Sequence, residues 1–554
     1  MIRNHLDSSS RYILISAKPA PNGGLHLGHI AGPYLRQDML RRHYQMRGAT
    51  VHVVGGTDPI DSFIALRASQ VDSGPDAVAV RYFAQIEQDF NSLDIHFDAF
   101  IDPLSDRWRD QYRACFAEVV ERAVAEDRVV TVQRDFPFFP DGEQGASGAW
   151  ICGLCPDCAC SVSGYFCEAC GAHFDPSMIL EPVLRGTSER PDFRAREDLF
   201  FTVTDPAGLL SSLKAMGVPD SLRVIVERHF ENGRSMIRLS ERSQWGVPID
   251  ENDPAKELRY FGHGLLYGYC RLLGDVYCRI SDDPVNPFDS NSTVTSVNLF
   301  GVDNTVSHMV NIQAIGHEIE GWKGFDGFVV NRFYLLEGRK FSTSARHLIW
   351  VHDLVETAGA DSDSVRFTIA ATSPTWAERN LRVDEVLHWC NEIFGKQIRD
   401  RVTQDIHRLS GSEFVVPDHA TLDAFAVLWD RICEGHAFPV YAPEEQVELI
   451  LSWLNARPSP DSADDAALST WLRCLLITLY PVVPRFASWA WTSLGLDGSP
   501  SLMRLLCPAS VAPVSLPQRP AELTETALHS AMPDAAVAWS TAAKERLLGA
   551  SLEV

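Results

Sequence analysis

The sequence predicts an α/β fold in which a parallel sheet carries helices on its faces, a cysteine-rich insert interrupts it, and a helical bundle follows. Three observations predict this. Short β-branched runs, at residues 12–15 and 51–54, are each followed by a turn and then by helical periodicity, which is the texture of parallel α/β units. Similar runs return near residues 298–303 and 328–330, and between the two sets lie two Cys-x-x-Cys knuckles. Beyond about residue 390 the strand-like runs disappear, and stretches rich in Leu, Trp and Phe take over, as in a helical bundle.

Composition bounds the function. A chain of 554 residues is too long for one core, and three or four domains are expected at roughly 150 residues each. With Lys+Arg 49 against Asp+Glu 73 and a net charge of -24, a protein that coats DNA or RNA nonspecifically is excluded, because such binding needs many phosphate-neutralising cations. A specific RNA held on a local basic face stays open. The N-terminal apolar run is too short for a signal peptide. The apolar stretch 475–483 is broken by Pro481 and flanked by Arg473 and Arg485, so no membrane span is expected. Thirteen cysteines without an export signal point to a reducing cytoplasm and to metal binding or free thiols rather than disulfides.

In chain order, residues 12–15 form the first strand, and Asn22-Gly23-Gly24 supplies a turn. Ile30, Tyr34, Leu35, Met39, Leu40 and Tyr44 then make the apolar stripe of a helix closed by Gly48. His26-Leu27-Gly28-His29 therefore stands at a helix N-terminus, where unpaired N–H groups and two imidazoles suit phosphate; histidines that only cap the helix would look the same. Residues 51–54 run into Gly55-Gly56-Thr57-Asp58-Pro59. Asp58 at a strand's carboxyl end could pair with a substrate ammonium or simply form the turn.

The knuckles offer Cys155, Cys158, Cys167 and Cys170, the arrangement of a four-thiolate zinc site of structural type. Cys152 and Cys160 compete as ligands. Further on, Asp303 follows a strand and could bind a ribose hydroxyl or cap a helix, with His308 a turn later. Residues 328–330 and 333–336 read as strands, followed by Glu337-Gly338-Arg339-Lys340-Phe341-Ser342-Thr343-Ser344. Such a cationic, hydroxyl-rich loop could close over nucleotide phosphates. Helical stretches after residue 390 break at residues 410–412 and 458–465, and the Ala- and Pro-rich tail from Val514 reads as a docked helix or partly disordered chain.

Together these residues resemble the class I aminoacyl-tRNA synthetases, and among them the methionyl type. His26-Leu27-Gly28-His29 is similar to the family's HIGH signature, and Lys340-Phe341-Ser342-Thr343-Ser344 to its KMSKS loop. The knuckles resemble the zinc-bearing connective insert, with Ile179-Leu180-Glu181-Pro182 leaving it, and Trp245-Gly246-Val247-Pro248 resembles the turn before the second catalytic half. The resemblance spans roughly residues 10–510 and implies a class I synthetase Rossmann-type parallel sheet. It divides the chain into a first catalytic half (1–125), a zinc-bearing insert (126–230), a second catalytic half with the signature loop (231–345), a linking fold (346–390), a bundle like the anticodon-binding one (391–510) and a tail (511–554).

By position, the resemblance implies ATP-dependent formation of an aminoacyl adenylate. His26, His29 and Lys340 would be catalytic, and Gly28, Asp303, Lys340, Ser342 and Thr343 would bind ATP with its magnesium. Lys18, Ala20, Asp58, Gly262 and His308 would bind the amino acid.

The departures redirect the function. Lys18, Ala20 and Gly262 stand where the family has a leucine, a tyrosine and a tryptophan around methionine, and each apolar wall lost forfeits about 1.5–3 kcal/mol. Methionine is therefore expected to bind poorly, and Lys18 suggests a substrate or acceptor with an acidic or hydrogen-bond-accepting group. Thr343 replaces the loop's second lysine, which predicts slower adenylation. Asp400 and Gln404 replace the asparagine and arginine that read an anticodon in the family, although Lys396, Arg399, Arg401 and Arg408 keep the segment basic.

The first expectation is a ligase that passes the acyl group to a small amine, hydroxylamine or hydroxyl acceptor. The second is a working synthetase that charges tRNA. A zinc-containing RNA-binding protein without turnover is a third.

Overall fold

The protein is described by a computed structural model over residues 7–140, 142, 144–250, 258–343, 345–412, 415–439, 441–459, 464–513 and 518–550, with side chains to residue 546. Ser344 of the signature loop and Val514 at the start of the tail lie outside the described residues.

Five parallel strands form the central sheet. They are β1 (Arg11–Ser16), β2 (Thr50–Gly56), β3 (Ala99–Ile101), β4 (Thr295–Gly301) and β5 (Gly327–Asn331). Their spatial order is β5-β4-β1-β2-β3. On β1, Ile13 and Ile15 face one hydrophobic core and Leu14 the other, the two-residue period of a strand buried on both faces. The strand order reverses between β1 and β4, and a crevice opens at that point outside the carboxyl ends of the strands.

The helix after β1 departs from the single element that periodicity predicts. It starts as Leu27–His29, passes through a π-type turn at Ile30–Tyr34, and continues as α1 (Leu35–Met46). Pro33 is the cause, since it disfavours helical backbone at Gly32, where ψ is −126°. The Arg36 guanidinium, almost fully buried, donates to the carbonyls of Ala31 and Gly32 that the kink frees. Gly48, with φ at +95°, ends the helix as a left-handed cap.

Between β3 and β4 the insert forms two small antiparallel sheets. Val129–Phe138 pairs along its length with Asp192–Thr202, which also pairs with Met236–Arg238. Ile151–Leu154 pairs with Ser161–Ser163 and Leu180–Leu184 around the cysteine knuckles. Its core of Ile151, Val162, Tyr165 and Phe174 also takes in Phe261 from the second half of the catalytic region, so the insert is packed onto the site.

Beyond β5, Tyr334–Leu336 and Arg339–Lys340 form a hairpin, and Arg379–Leu381 lies parallel to its first strand. Helices Arg401–Leu409, His419–Gly435, Pro443–Asn455, Asp465–Leu479 and Pro484–Ser493 follow. Their core is continuous with one face of the sheet. A buried guanidinium joins them to it: Arg366 donates to Asp38 of α1 at 2.7 Å and to the carbonyls of Pro481 and Val482 at 2.8 Å.

The tail is docked. Helices Glu525–Ser530 and Asp534–Ala550 return to the catalytic region. Trp350 N–H donates to the Ala531 carbonyl at 3.0 Å, and Trp539 Nε1–H to the Glu337 carbonyl at 2.9 Å. Among the described residues, no helix is long and apolar enough to cross a membrane.

Candidate active site

The crevice at the strand ends is a cleft of about 940 Å³, near the upper end of the roughly 300–1,000 Å³ usual for small-molecule sites. Lys18 and Ala20 line it after β1, and His26, Gly28 and His29 line it at the helix start. Asp303 follows β4, and Lys340, Ser342 and Thr343 come from the hairpin. Asp58 and Gly262 instead line a small neighbouring cavity with Asp61 and His263. His308 lines neither: its Nδ1 is 2.6 Å from Asn298 Oδ1, and its ring stacks on Phe300.

The two histidines cap the helix reciprocally. His29 N–H donates to His26 Nδ1 and His26 N–H to His29 Nδ1, each at 3.3 Å, and the rings stack with centroids 3.6 Å apart. Because each Nδ1 accepts, the proton of each neutral ring sits on Nε2. Burial, then the neighbouring His29 and Lys340 charges, pushes His26 well below the ordinary imidazole range; burial and Lys340 lower His29 to about 4. At neutral pH both rings are therefore uncharged donors.

Gly28 is required by the approach of the hairpin, since a Cβ there would stand 2.9 Å from Phe341 Cβ and 3.1 Å from His26 Cε1. The hairpin also closes on the Asn22-Gly23-Gly24 turn, where a Cβ on Gly23 would be 3.2 Å from Thr343 Cγ2. Lys340 Nζ lies 2.7 Å from Glu168 Oε2, 3.8 Å from Asp303 Oδ2 and 4.3 Å from the centre of the Phe333 ring. Burial raises the Asp303 carboxyl and Lys340 opposes that shift. Glu168 is the residue after the third cysteine of the knuckles, so the insert reaches the signature loop directly.

Between the cleft and the neighbouring cavity lies an ion pair. Lys18 Nζ is 3.3 Å from Asp58 Oδ2 and sits 4.3 Å from the centre of the Tyr269 ring. Periodicity gave no sign of Tyr269, which comes from the helix Leu266–Ser281 and donates its hydroxyl to the Thr57 carbonyl at 3.2 Å. The space opened by Gly262 is partly filled, because a Cβ there would stand 2.8 Å from Ile60 Cδ1. Arg346 also lines the cleft three residues after Thr343, and a second cation just past the signature is the signal that could have found it.

Cys155, Cys158, Cys167 and Cys170 gather with their sulfurs within 4.8 Å of one another. Cys155 Sγ is 3.7 Å from Cys170 Sγ and Cys158 Sγ is 3.6 Å from Cys167 Sγ, close to the roughly 3.8 Å edge of a tetrahedron with 2.3 Å metal–sulfur bonds. Cys152 and Cys160 are not in the group. The four thiols fit a tetrahedral soft-metal site with no open position.

On the bundle's first helical segment, Arg519 from the tail pairs with Asp400 at 3.3 Å, and Gln404 is exposed. Lys396 pairs with Glu392 and Glu522, and Arg399 with Asp361. Much of the basic face expected there is thus neutralised by carboxylates.

Comparison with known proteins fits this architecture. The family model described as tRNA synthetases class I (M) matches residues 12–408. The methionine–tRNA ligase of Methanococcus aeolicus is 26% identical over 393 residues, covering 68% of this chain and 55% of the relative. That of Chlorobium limicola is 24% identical over 531 residues, covering 88% and 74%. The chain therefore spans between about half and three quarters of the length of these relatives. The Mycobacterium tuberculosis methionyl-tRNA synthetase in complex with methionyl-adenylate superposes with a TM-score of 0.70 at 17% identity, covering 92% of this chain and 100% of that one. Its apo form gives 0.63 at 16% identity, covering 93% and 98%.

Proposed function

The chain belongs to the class I tRNA synthetases of the M type, and from that premise we propose that it activates an amino acid with ATP and passes the acyl group to a small amine, hydroxylamine or hydroxyl acceptor. In the first step a substrate carboxylate oxygen attacks the α-phosphorus, the bond to the bridging oxygen breaks, and pyrophosphate leaves. Charge grows on the phosphoryl oxygens during this step, and preorganised donors aimed at that charge lower the barrier. The neutral Nε2–H groups of His26 and His29, with the ammonium of Lys340, supply such donors. Asp303 holds the ribose, Gly28 lets the hairpin approach, and Ser342, Thr343 and Arg346 follow the departing pyrophosphate. Asp58 holds the α-ammonium. In the second step the acceptor attacks the acyl carbon, AMP leaves with the bonding pair, and the proton that the acceptor loses passes to the departing phosphate or to water.

Magnesium would accompany ATP: Asp89 lines the cleft and is an oxygen donor of the kind it takes, and the ion would neutralise phosphate charge. Zinc suits the four thiols, where it would hold the knuckles rigid.

The observation that carries the acceptor reading is the neutralised helix face, where Asp400 is paired with Arg519 and the neighbouring Lys396 and Arg399 with carboxylates. With Lys396 and Arg399 engaged by carboxylates, an RNA loop would meet less positive charge there than the sequence suggests. The zinc knuckle and the bundle favour a second reading, charging of tRNA with methionine or another amino acid. A pyrophosphate-exchange screen over many amino acids, followed by acyl transfer with and without total tRNA, separates the two. Transfer to small amines or hydroxylamines without RNA is expected; efficient, tRNA-dependent charging with methionine would overturn the proposal.

A further inference from the structure

The Lys18–Asp58 pair stands between the cleft, which Lys18 lines, and the small cavity beside it, which Asp58 lines, and it has no counterpart in the resemblance that identified the rest of the site. The Lys18 side chain is 6% exposed and that of Asp58 10%. Neither Lys18 Nζ nor Asp58 Oδ1 has a hydrogen-bond partner of acceptable geometry. An ammonium has three protons to place, and leaving them unmet in a buried site costs free energy. The remaining groups that face it are the Tyr269 ring and, further off, His263, His308 and Cys270. None of these is an anion. The other nearby carboxylate, Asp61, faces His263 at 3.8 Å.

We propose that the activated amino acid carries a side-chain carboxylate and that Lys18, buried, lacking a hydrogen-bond partner and lining the cleft, is the residue that reads it. The inference rests on the adenylation reading above, in which Asp58 holds the α-ammonium. Charge counting then selects the substrate. When a neutral amino acid binds, its α-carboxylate is turned to the α-phosphorus and its ammonium competes with Lys18 for the one Asp58 carboxylate, so the buried Lys18 ammonium is left without an anion of its own. When an acidic amino acid binds, the charges alternate from α-ammonium to Asp58, to Lys18, to side-chain carboxylate, and each ion has an opposite neighbour.

Ala20 leaves one side of the pocket without a large side chain, and Ile60 closes the other against Gly262. Apolar side chains such as Tyr34, Phe63 and Leu66 still line the cleft, so discrimination against a thioether or aliphatic chain comes from the buried Lys18 ammonium and not from the walls.

The test is ATP–pyrophosphate exchange with aspartate, glutamate, asparagine, glutamine, methionine, and the amine-free diacids succinate and glutarate. Wild type, Lys18→Leu and Lys18→Arg are compared. One acidic amino acid is expected to exceed its own amide by about 100-fold in kcat/KM, the effect of a charge-assisted hydrogen bond in a buried site. Lys18→Leu removes that preference and leaves the amide within a few-fold, whereas Lys18→Arg keeps most of it. Should Lys18→Leu fail to fold, the wild-type panel alone decides.

A leading amide, an apolar amino acid, or a diacid lacking the α-amine would overturn the inference while leaving adenylation standing. The diacid result would mean that Lys18 takes the place of the ammonium. Exchange with no compound at all would overturn adenylation instead. Calorimetric titration with aspartate and glutamate then decides for Lys18: binding that Lys18→Leu abolishes upholds its role, and no binding overturns it.

Discussion

Replacing Glu168 by Gln tests how the knuckle governs the signature loop. In the free protein Glu168 Oε2 holds Lys340 Nζ at 2.7 Å, with the two side chains 57% and 36% exposed. A pair so open to water contributes about 0.3–1 kcal/mol. The contact must be released before Lys340 can meet phosphate, so Glu168 competes with ATP. Glu168→Gln is therefore expected to lower the KM for ATP by about two- to fivefold, the same energy read as a ratio, with kcat unchanged. The Phe333 ring keeps the ammonium near the cleft when the carboxylate is gone. Salt should mimic the substitution, because at about 1 M the screening length falls to roughly 3 Å, and the difference between the two proteins should vanish there. Initial-rate pyrophosphate exchange over a range of ATP and salt measures both. A raised KM, or a kcat lowered more than about tenfold, would show that Glu168 aims Lys340 productively, and the competition argument would fall.

Gly28→Ala puts a methyl 2.9 Å from Phe341 Cβ, and Phe341 cannot withdraw because it is stacked between Tyr334 and His26. If the overpacking of about 1–3 kcal/mol is met by displacing the hairpin from its catalytic position, exchange activity falls by about 5- to 150-fold; a wild-type rate would contradict it. Glu241 is bonded to Tyr165 and Ser147, and burial raises its carboxyl to about 7. The folded state thus holds a proton that the unfolded chain gives up near pH 4.5, so stability falls as pH rises from there to about 7. Glu241→Gln should flatten that fall in a melting-temperature series, and an unchanged slope would assign it elsewhere. If the four thiols hold a metal, a chelator should expose residues 150–180 to protease while the central sheet's far-UV signal persists; equal resistance with and without chelator would argue that the thiols hold no structural metal.

Much of the frame was legible because buried strands announce themselves as β-branched runs. β1, β2, β4 and β5 lie where those runs stand, and His26, Asp58 and Asp303 stand at or just beyond the ends that the turns suggested. The four cysteines that gather are the four whose spacing proposed them. The pairings were not legible. Lys18 with Asp58, Glu168 with Lys340 and Trp539 with Glu337 join residues far apart in the chain. Periodicity reports which face of an element is apolar, not which distant side chain will meet it. For the same reason Tyr269 under Lys18 and Ile60 against Gly262 left no local trace. The kink at Gly32 was readable in Pro33, but the apolar stripe runs through it and masked it.

The docked tail also bears on how the protein comes into being. Trp350, which bridges His26 in antiparallel fashion, receives its backbone acceptor from Ala531, and Trp539 holds the turn of the signature hairpin through Glu337. A ribosome makes His26 long before Ala531 and Trp539, and at about 5–20 residues per second the interval is roughly 25–100 s. The sheet's first strands can collapse during that time, but the hairpin waits for its last support. A nascent chain therefore carries the histidines long before it carries a finished centre, and ATP meets a complete site only once the Ala531 and Trp539 contacts have formed.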